Sequence, residues 1–107
     1  MKHEHITPED LNQVLQTTPI LLIDVREQEE WNENHIQGAT LVPLSTIATQ
    51  IDKVCQDRTQ PVYLYCQRGR RSHQAALILL SLGFIHVIEL EDGMSHWLEK
   101  GLPCQTC

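Results

Sequence analysis

Residues 61–84 read PVYLYCQRGRRSHQAALILLSLGF, and the order of patterns within that stretch decides the fold class. Pro61 to Cys66 is a β-branched and aromatic run with proline at its entry, where a strand tolerates it. From Ser72 the chain is apolar almost all round, which predicts a largely buried helix with Gly83 at its C′ position. A glycine–arginine loop joins the two. A strand feeding through a short loop into a buried helix is part of a βαβ unit, and such units build parallel sheets.

The same alternation extends upstream. Thr7 is a helix N-cap, with Pro8 at the first helical position and Glu9 and Asp10 in the first turn. Leu11, Val14 and Leu15 give that helix one apolar face. Ile20 to Ile23 is a continuous aliphatic run of strand length, as expected of a strand buried on both faces. REQEEWNENH (26–35) predicts a short surface helix anchored by Trp31, and GATLVPL (38–44) a second short strand ending at Pro43. Ile47, Ile51 and Val54 recur at helical spacing, so residues 45–55 form an amphipathic helix that closes at Cys55. Downstream, HVIEL (86–90) is a further strand, and residues 91–102 hold a last helix packed through Trp97 and Leu98. His3 and His5 lie in a polar segment before the first helix and read as surface residues rather than a metal site. Helices and strands alternating in this way predict an α/β domain whose parallel sheet is covered on both faces.

The length of 107 residues fits one domain, with residues 104–107 as a short C-terminal tail. A net charge of −6 argues against nucleic acid or an anionic membrane as main partner. MKHEHITPED has no apolar signal-peptide core, and no apolar run approaches the ~20 residues needed to span a bilayer. The expected setting is soluble and cytoplasmic. Cys55, Cys66, Cys104 and Cys107 are too few for a disulfide scaffold and point to free, catalytic or metal-binding thiols.

Against that acidic background, Arg68, Arg70 and Arg71 gather three of the chain's eight basic residues beside Cys66. Ligands of open parallel sheets bind beyond the carboxyl ends of the strands. Cys66 is at such an end, and Asp24 and Arg26 are at the end of the Ile20 strand, on the same side. A loop leading into a helix N-terminus presents backbone N–H groups and partial positive charge, and the arginines add full charges. This setting favours thiolate over thiol. Gly69 lets the backbone turn and approach a ligand. The combination is a nucleophile in an anion-binding cradle, suited to an anionic substrate. Arg68 and Arg70 are the expected pocket charges. Arg71 either faces the pocket or turns away to pair with an acid such as Asp24, which is expected to hold an arginine from behind the loop.

Cys66-x-x-Gly69-x-Arg71-Ser72 resembles the active-site loop of the rhodanese family of sulfurtransferases. LIDVRE (22–27), HIQGA (35–39), VPL (42–44), Gly83-Phe84, LEDGMSHW (90–97) and GLP (101–103) resemble segments of single-domain rhodaneses in the same order. The resemblance spans nearly the whole chain. It implies a five-stranded parallel sheet with helices on both sides. It also implies that Cys66 carries a persulfide taken from thiosulfate or a similar donor, cradled by the backbone of residues 67–71. Gln67, Arg68, Gly69, Arg70, Arg71 and Ser72 are the implied substrate-binding residues. Cyanide, a thiol or a protein is the implied sulfur acceptor, with neither a metal nor an organic cofactor.

Two rival readings share parts of this pattern. Cysteine phosphatases and arsenate reductases also pair a thiolate with a backbone cradle, but place arginine six residues after the cysteine and usually histidine before it. Here Ser72 holds the sixth position, Arg71 the fifth, and Tyr65 precedes Cys66, giving a shorter loop suited to sulfur. A persulfide carrier serving a protein partner is the second rival. Cys104-x-x-Cys107 reads as a passive or adventitiously oxidised tail, with a redox pair, half a zinc site or a sulfur relay as alternatives. His73 falls at the pocket edge or on a helix face. His35 and His96 read as structural, and Cys55 as core or surface.

Overall fold

The computed structural model describes residues 1–106. Along the chain run β1 (Lys2–Ile6), α1 (Pro8–Thr17), β2 (Leu21–Asp24), α2 (Gln28–Glu33) and β3 (Thr40–Leu41). A 3-10 turn over Leu44–Thr46 leads into α3 (Ile47–Val54), followed by β4 (Val62–Tyr65), α4 (Arg70–Ser81), β5 (His86–Leu90) and α5 (Gly93–Glu99). The five strands form one sheet in the order β1-β5-β4-β2-β3, with every pairing parallel. The expected α/β architecture is the observed one.

Strand side chains alternate between faces, and both faces are covered. Ile23, Val62, Leu64 and Val87 join Ile47 and Ile51 of α3 and Ala75, Ala76 and Leu79 of α4 in one core. Leu22, Tyr65 and Leu90 point the other way, onto Leu11 of α1 and Met94 and Trp97 of α5. This is why the Ile20–Ile23 run is uniformly aliphatic: Leu22 and Ile23 are buried on opposite faces of β2, and Ile20 and Leu21 are partly covered. Burying each large aliphatic side chain stabilises the fold by about 1.5–3 kcal/mol. Thr7 caps α1 as expected, its Oγ1 accepting from the Asp10 N–H at 3.2 Å.

Four expectations need correction. The polar segment KHEHI is a strand, the fifth of the sheet, with Lys2↔His86 through Ile6↔Leu90 in register. It is an edge, so backbone pairing with β5 places it, and Lys2, Glu4 and His5 remain exposed. Helix α4 is not largely buried: it hides Ser72, Ala75, Ala76 and Leu79, while Leu77 is 51% exposed. It packs on one face of the sheet, so its outer apolar residues find nothing to cover them. In α5 Trp97 is buried but Leu98 is exposed. Trp31 does not reach the core; it is half-buried and stacks on His35, ring centroids 3.6 Å apart.

The segment after α5 is docked rather than trailing. Trp97 Nε1 donates to the Pro103 carbonyl at 2.9 Å, Gln105 exchanges backbone hydrogen bonds with His35, and the Thr106 hydroxyl donates to the Glu33 carbonyl at 2.8 Å. No helix among the described residues is long and apolar enough to cross a membrane.

Candidate active site

Cys66 follows the last residue of β4 and is 1% exposed. The chain then turns through Gly69, at φ +106°, into the first turn of α4. That left-handed conformation suits glycine and re-aims the backbone at the sulfur. The Gly69 N–H donates to Sγ at 3.0 Å and the Ser72 N–H at 3.3 Å. Both belong to the N–H groups that a helix start leaves without intrahelical partners. The Ser72 hydroxyl lies 3.6 Å from Sγ, 3.2 Å from the Gly69 carbonyl and 3.4 Å from Glu89 Oε1. It has one proton to donate, so it can turn from its oxygen partners to a thiolate once Cys66 loses its own.

Of the three loop arginines, Arg71 turns away from the sulfur, to Glu30 of α2 rather than to Asp24. Two bonds of 2.8 Å join the guanidinium and the carboxylate in a fork. Glu30 also accepts from the Glu27 N–H in a capping box, which joins the α2 start to the loop. The Arg71 hydrogen bonds hold the Glu30 carboxyl down to about 2. A carboxylate with a depressed native pKa stabilises the fold above its unfolded pKa and loses that contribution as pH falls through the native value. Wild type should therefore exceed Glu30→Gln in stability by a constant margin above about pH 5, shrinking toward zero near pH 2. Urea midpoints measured across pH check this; a margin independent of pH would remove the ion pair from the account.

Asp24 holds Arg26 instead. The Arg26 Nε lies 3.1 Å from each Asp24 oxygen, and Nη2 lies 2.9 Å from Oδ2. Both side chains are at most 1% exposed. Burial opposes the guanidinium charge, but the Asp24 hydrogen bonds and charge outweigh it and raise the Arg26 pKa. Arg26 Nη1 donates to Gln67 Oε1 at 3.0 Å and Nη2 to the Asn34 carbonyl at 2.6 Å. The Gln67 side chain is thus a tether for the loop. Beneath it Tyr65 is fully buried, which pushes its phenol pKa up, and its oxygen accepts from the Ile36 N–H at 3.1 Å.

The far side of the loop rests on α5. The Met94 N–H donates to the Cys66 carbonyl at 2.8 Å and the Ser95 N–H to the Gln67 carbonyl at 3.0 Å. Gly93 makes that approach possible: a Cβ there would stand 2.4 Å from the Cys66 carbonyl oxygen and 2.8 Å from the Gln67 carbonyl carbon. Those are backbone atoms and cannot swing aside. Gly93 also has φ +63°, where a side chain costs about 1–2 kcal/mol by itself. Gly93→Ala should displace the loop and, since a misplacement near 1 Å costs roughly 10²-fold in rate, reduce turnover by about that factor with Cys66 still present. Thiol alkylation rate and turnover measured together test this; an unchanged turnover would show that the loop does not depend on α5.

Cys66, Gln67, Arg68, Arg70 and Arg71 line a cleft at the carboxyl end of β4. Neither Arg68 nor Arg70 has an acidic partner among the described residues. The cleft therefore combines a buried sulfur at its base with two cationic groups at its mouth. A second cleft, lined by Leu15, Ile20, Ile36, Trp97 and Pro103 among others, offers no nucleophile. His73 is on an exposed part of α4 and meets Glu89 rather than Cys66. His35 and His96 bond to backbone carbonyls, and Cys55 is half-buried at the margin of the α3–α4 core. Cys104 packs beside the Trp97 core; Cys107, and with it the reading of the pair as a relay, lies outside the described residues.

Sequence reasoning missed Glu30, Glu89 and Gly93. Glu30 had a signal, standing three residues after Glu27 as the return partner of a capping box. Asp92-Gly93 reads as turn chemistry only, and nothing local marks the carbonyls it approaches.

Residues 7–100 match the model of the Rhodanese-like domain family. A sulfurtransferase of Allochromatium vinosum is 34% identical over 99 residues, covering 92% of this chain and 91% of that protein. A tRNA uridine(34) hydroxylase of Chlamydia pneumoniae is 33% identical over 97 residues, 85% of this chain but 30% of that longer protein. Several other curated relatives are longer too, the chain spanning 26–54% of their length. Among solved structures, a rhodanese-related protein of Thermoplasma volcanium superposes with a TM-score of 0.84 at 26% identity, over 97% of this chain and 99% of that one. The chain belongs to the rhodanese-like family, whose single-domain members include sulfurtransferases.

Proposed function

We propose that the chain transfers a sulfane sulfur from a small anionic donor, thiosulfate or its like, to a thiophilic acceptor through a persulfide on Cys66. The observation that carries this is the Cys66 sulfur itself, buried under two backbone N–H donors, with Arg68 and Arg70 lining the cleft and without an acidic partner among the described residues. The sulfonate of thiosulfate sits against those guanidinium groups, which are good fork donors for such oxygens. The Cys66 thiolate attacks the outer sulfur; the new S–S bond forms as the old one breaks, and sulfite leaves with the electron pair. The persulfide's outer sulfur, negatively charged, lies in the cradle of residues 67–71. A nucleophile such as cyanide or a thiolate then takes that sulfur, and Cys66 departs as thiolate.

In this scheme Gly69 and Ser72 hold the sulfur, Arg68 and Arg70 bind the donor, and Arg71, Asp24, Arg26 and Gln67 keep the loop in shape. The setting we propose is cytoplasmic, with the whole chain acting as one domain. A protein acceptor is the second reading, favoured by the longer relatives in which this segment is only 26–54% of the chain. The test is a thiosulfate-to-cyanide assay run beside a phosphate ester. Thiocyanate production supports the proposal; phosphate release without thiocyanate overturns it. Single-turnover transfer from the loaded persulfide to a candidate protein, faster than to free thiols, would select the carrier reading.

A further inference from the structure

We propose that His3, His73 and Glu89 form a binding site for a divalent transition-metal ion of the zinc or cobalt type, with His5 at its edge. None of these side chains touches the Cys66 sulfur; Glu89 reaches it only through the Ser72 hydroxyl. Glu89, on β5, is 2% exposed, yet its only charged or chargeable neighbours among the described residues are imidazoles. Oε2 meets His3 Nε2 in a short hydrogen bond, His73 Nδ1 at 3.1 Å and His5 Nε2 at 3.7 Å. Among the described residues no lysine or arginine pairs with it. A buried carboxylate without a fixed cation is costly, and three imidazoles converging on it are a poor substitute when neutral.

The arrangement follows from the sheet. His3 and His5 are two apart on β1, so both side chains emerge on one face. The parallel register sets His5 opposite Glu89 and His3 opposite Val87, which faces α4. The first turn of α4 brings His73 over the same spot. The rings lie nearly parallel, His3 to His73 at 5.5 Å and 23°, and His3 to His5 at 5.8 Å and 22°. One ligand atom from each of His3, His73 and Glu89 falls within 4.8 Å of the others. Four-coordinate zinc with bonds of about 2.0–2.1 Å needs ligand atoms roughly 3.3 Å apart, so small side-chain rotations suffice. Two imidazole nitrogens and a carboxylate oxygen match zinc, cobalt or nickel rather than calcium or magnesium. Three ligands leave a position for water or for His5.

The site opens onto a cleft that Glu91 and Asp92 line with negative charge, while Arg68 opposes it from the loop. Glu89 Oε1 faces Ser72, which faces Cys66, so an ion on Oε2 stands two hydrogen bonds from the thiol.

The experiment uses the full chain with Cys55→Ser, Cys66→Ser, Cys104→Ser and Cys107→Ser, so that no cysteine sulfur can bind zinc. Zinc chloride is titrated by calorimetry, cobalt chloride by absorption, and the melting temperature is read with and without zinc. One equivalent should bind, with a cobalt spectrum free of thiolate charge transfer and a higher melting temperature with zinc. His73→Ala, on an exposed helix face, and His3→Ala should each weaken binding at least tenfold and erase most of the thermal shift. His86→Ala, on β5 outside the cluster, should change neither. Absence of binding to the parent chain, or binding unmoved by His73→Ala and His3→Ala, overturns the proposal.

Discussion

Cys66→Ser is expected to lower thiosulfate-to-cyanide sulfur transfer by about 10³-fold or more, as loss of a covalent nucleophile does. A serine hydroxyl is a far weaker nucleophile than a thiolate at neutral pH, and it would need a directly bonded base to be activated. Gly69 and Ser72 offer N–H donors and Arg71 is occupied with Glu30; among the described residues no carboxylate or imidazole bonds the sulfur directly, and Glu89 reaches it only through the Ser72 hydroxyl at 3.4 and 3.6 Å. Serine is close to cysteine in shape, and its oxygen can accept the same two N–H bonds, so folding should be retained. The decisive readout is the mass of the thiosulfate-treated protein: wild type gains one sulfur atom and the variant none. Undiminished thiocyanate production by a folded variant would sink the persulfide scheme.

Asp24→Ala should destabilise the protein by about 3–5 kcal/mol, the range for removing one member of a buried ion pair. The reason is what stays behind. Arg26 is 1% exposed and loses the partner that holds its charge against desolvation. Its remaining hydrogen-bond acceptors, the Gln67 and Asn34 oxygens, are neutral. A urea midpoint lowered by more than about 1 M at unchanged m would report the effect. The double variant Asp24→Leu/Arg26→Met removes both charges and should recover much of the loss. A double variant less stable than Asp24→Ala would show that packing, not charge, dominates there. Because Arg26 tethers Gln67, the single variant should also lose turnover beyond what its folded fraction explains.

Much of this was legible along the chain. Alternating patterns announced a parallel α/β sheet, since a strand buried on both faces has to be uniformly apolar and an N-cap such as Thr7 declares its helix locally. Cys66, Gly69 and the arginines form one contiguous loop, so their meeting needed no tertiary knowledge. The β1 strand was not legible: KHEHI carries no apolar pattern, because an edge strand is placed by its neighbour's backbone. Nor was the incomplete burial of α4, whose apolar residues exceed what one sheet face can cover.

The sequence by itself determined the fold class, the family and the loop on which the proposed sulfur chemistry rests, because each is written in local spacing or in one short segment. Tertiary structure alone decided which acid each arginine takes. Arg71 and Glu30 are 41 residues apart, and Arg71 sits nearer Glu30 than Asp24 only because α2 folds over the loop while Asp24 is already enclosed with Arg26. It decided that Gly93 must be glycine, since the carbonyls it approaches belong to another strand end. It also gathered His3, His73 and Glu89 from the first strand, the fourth helix and the last strand onto one carboxylate oxygen. Contacts across such separations depend on sheet order and register, which no local pattern encodes.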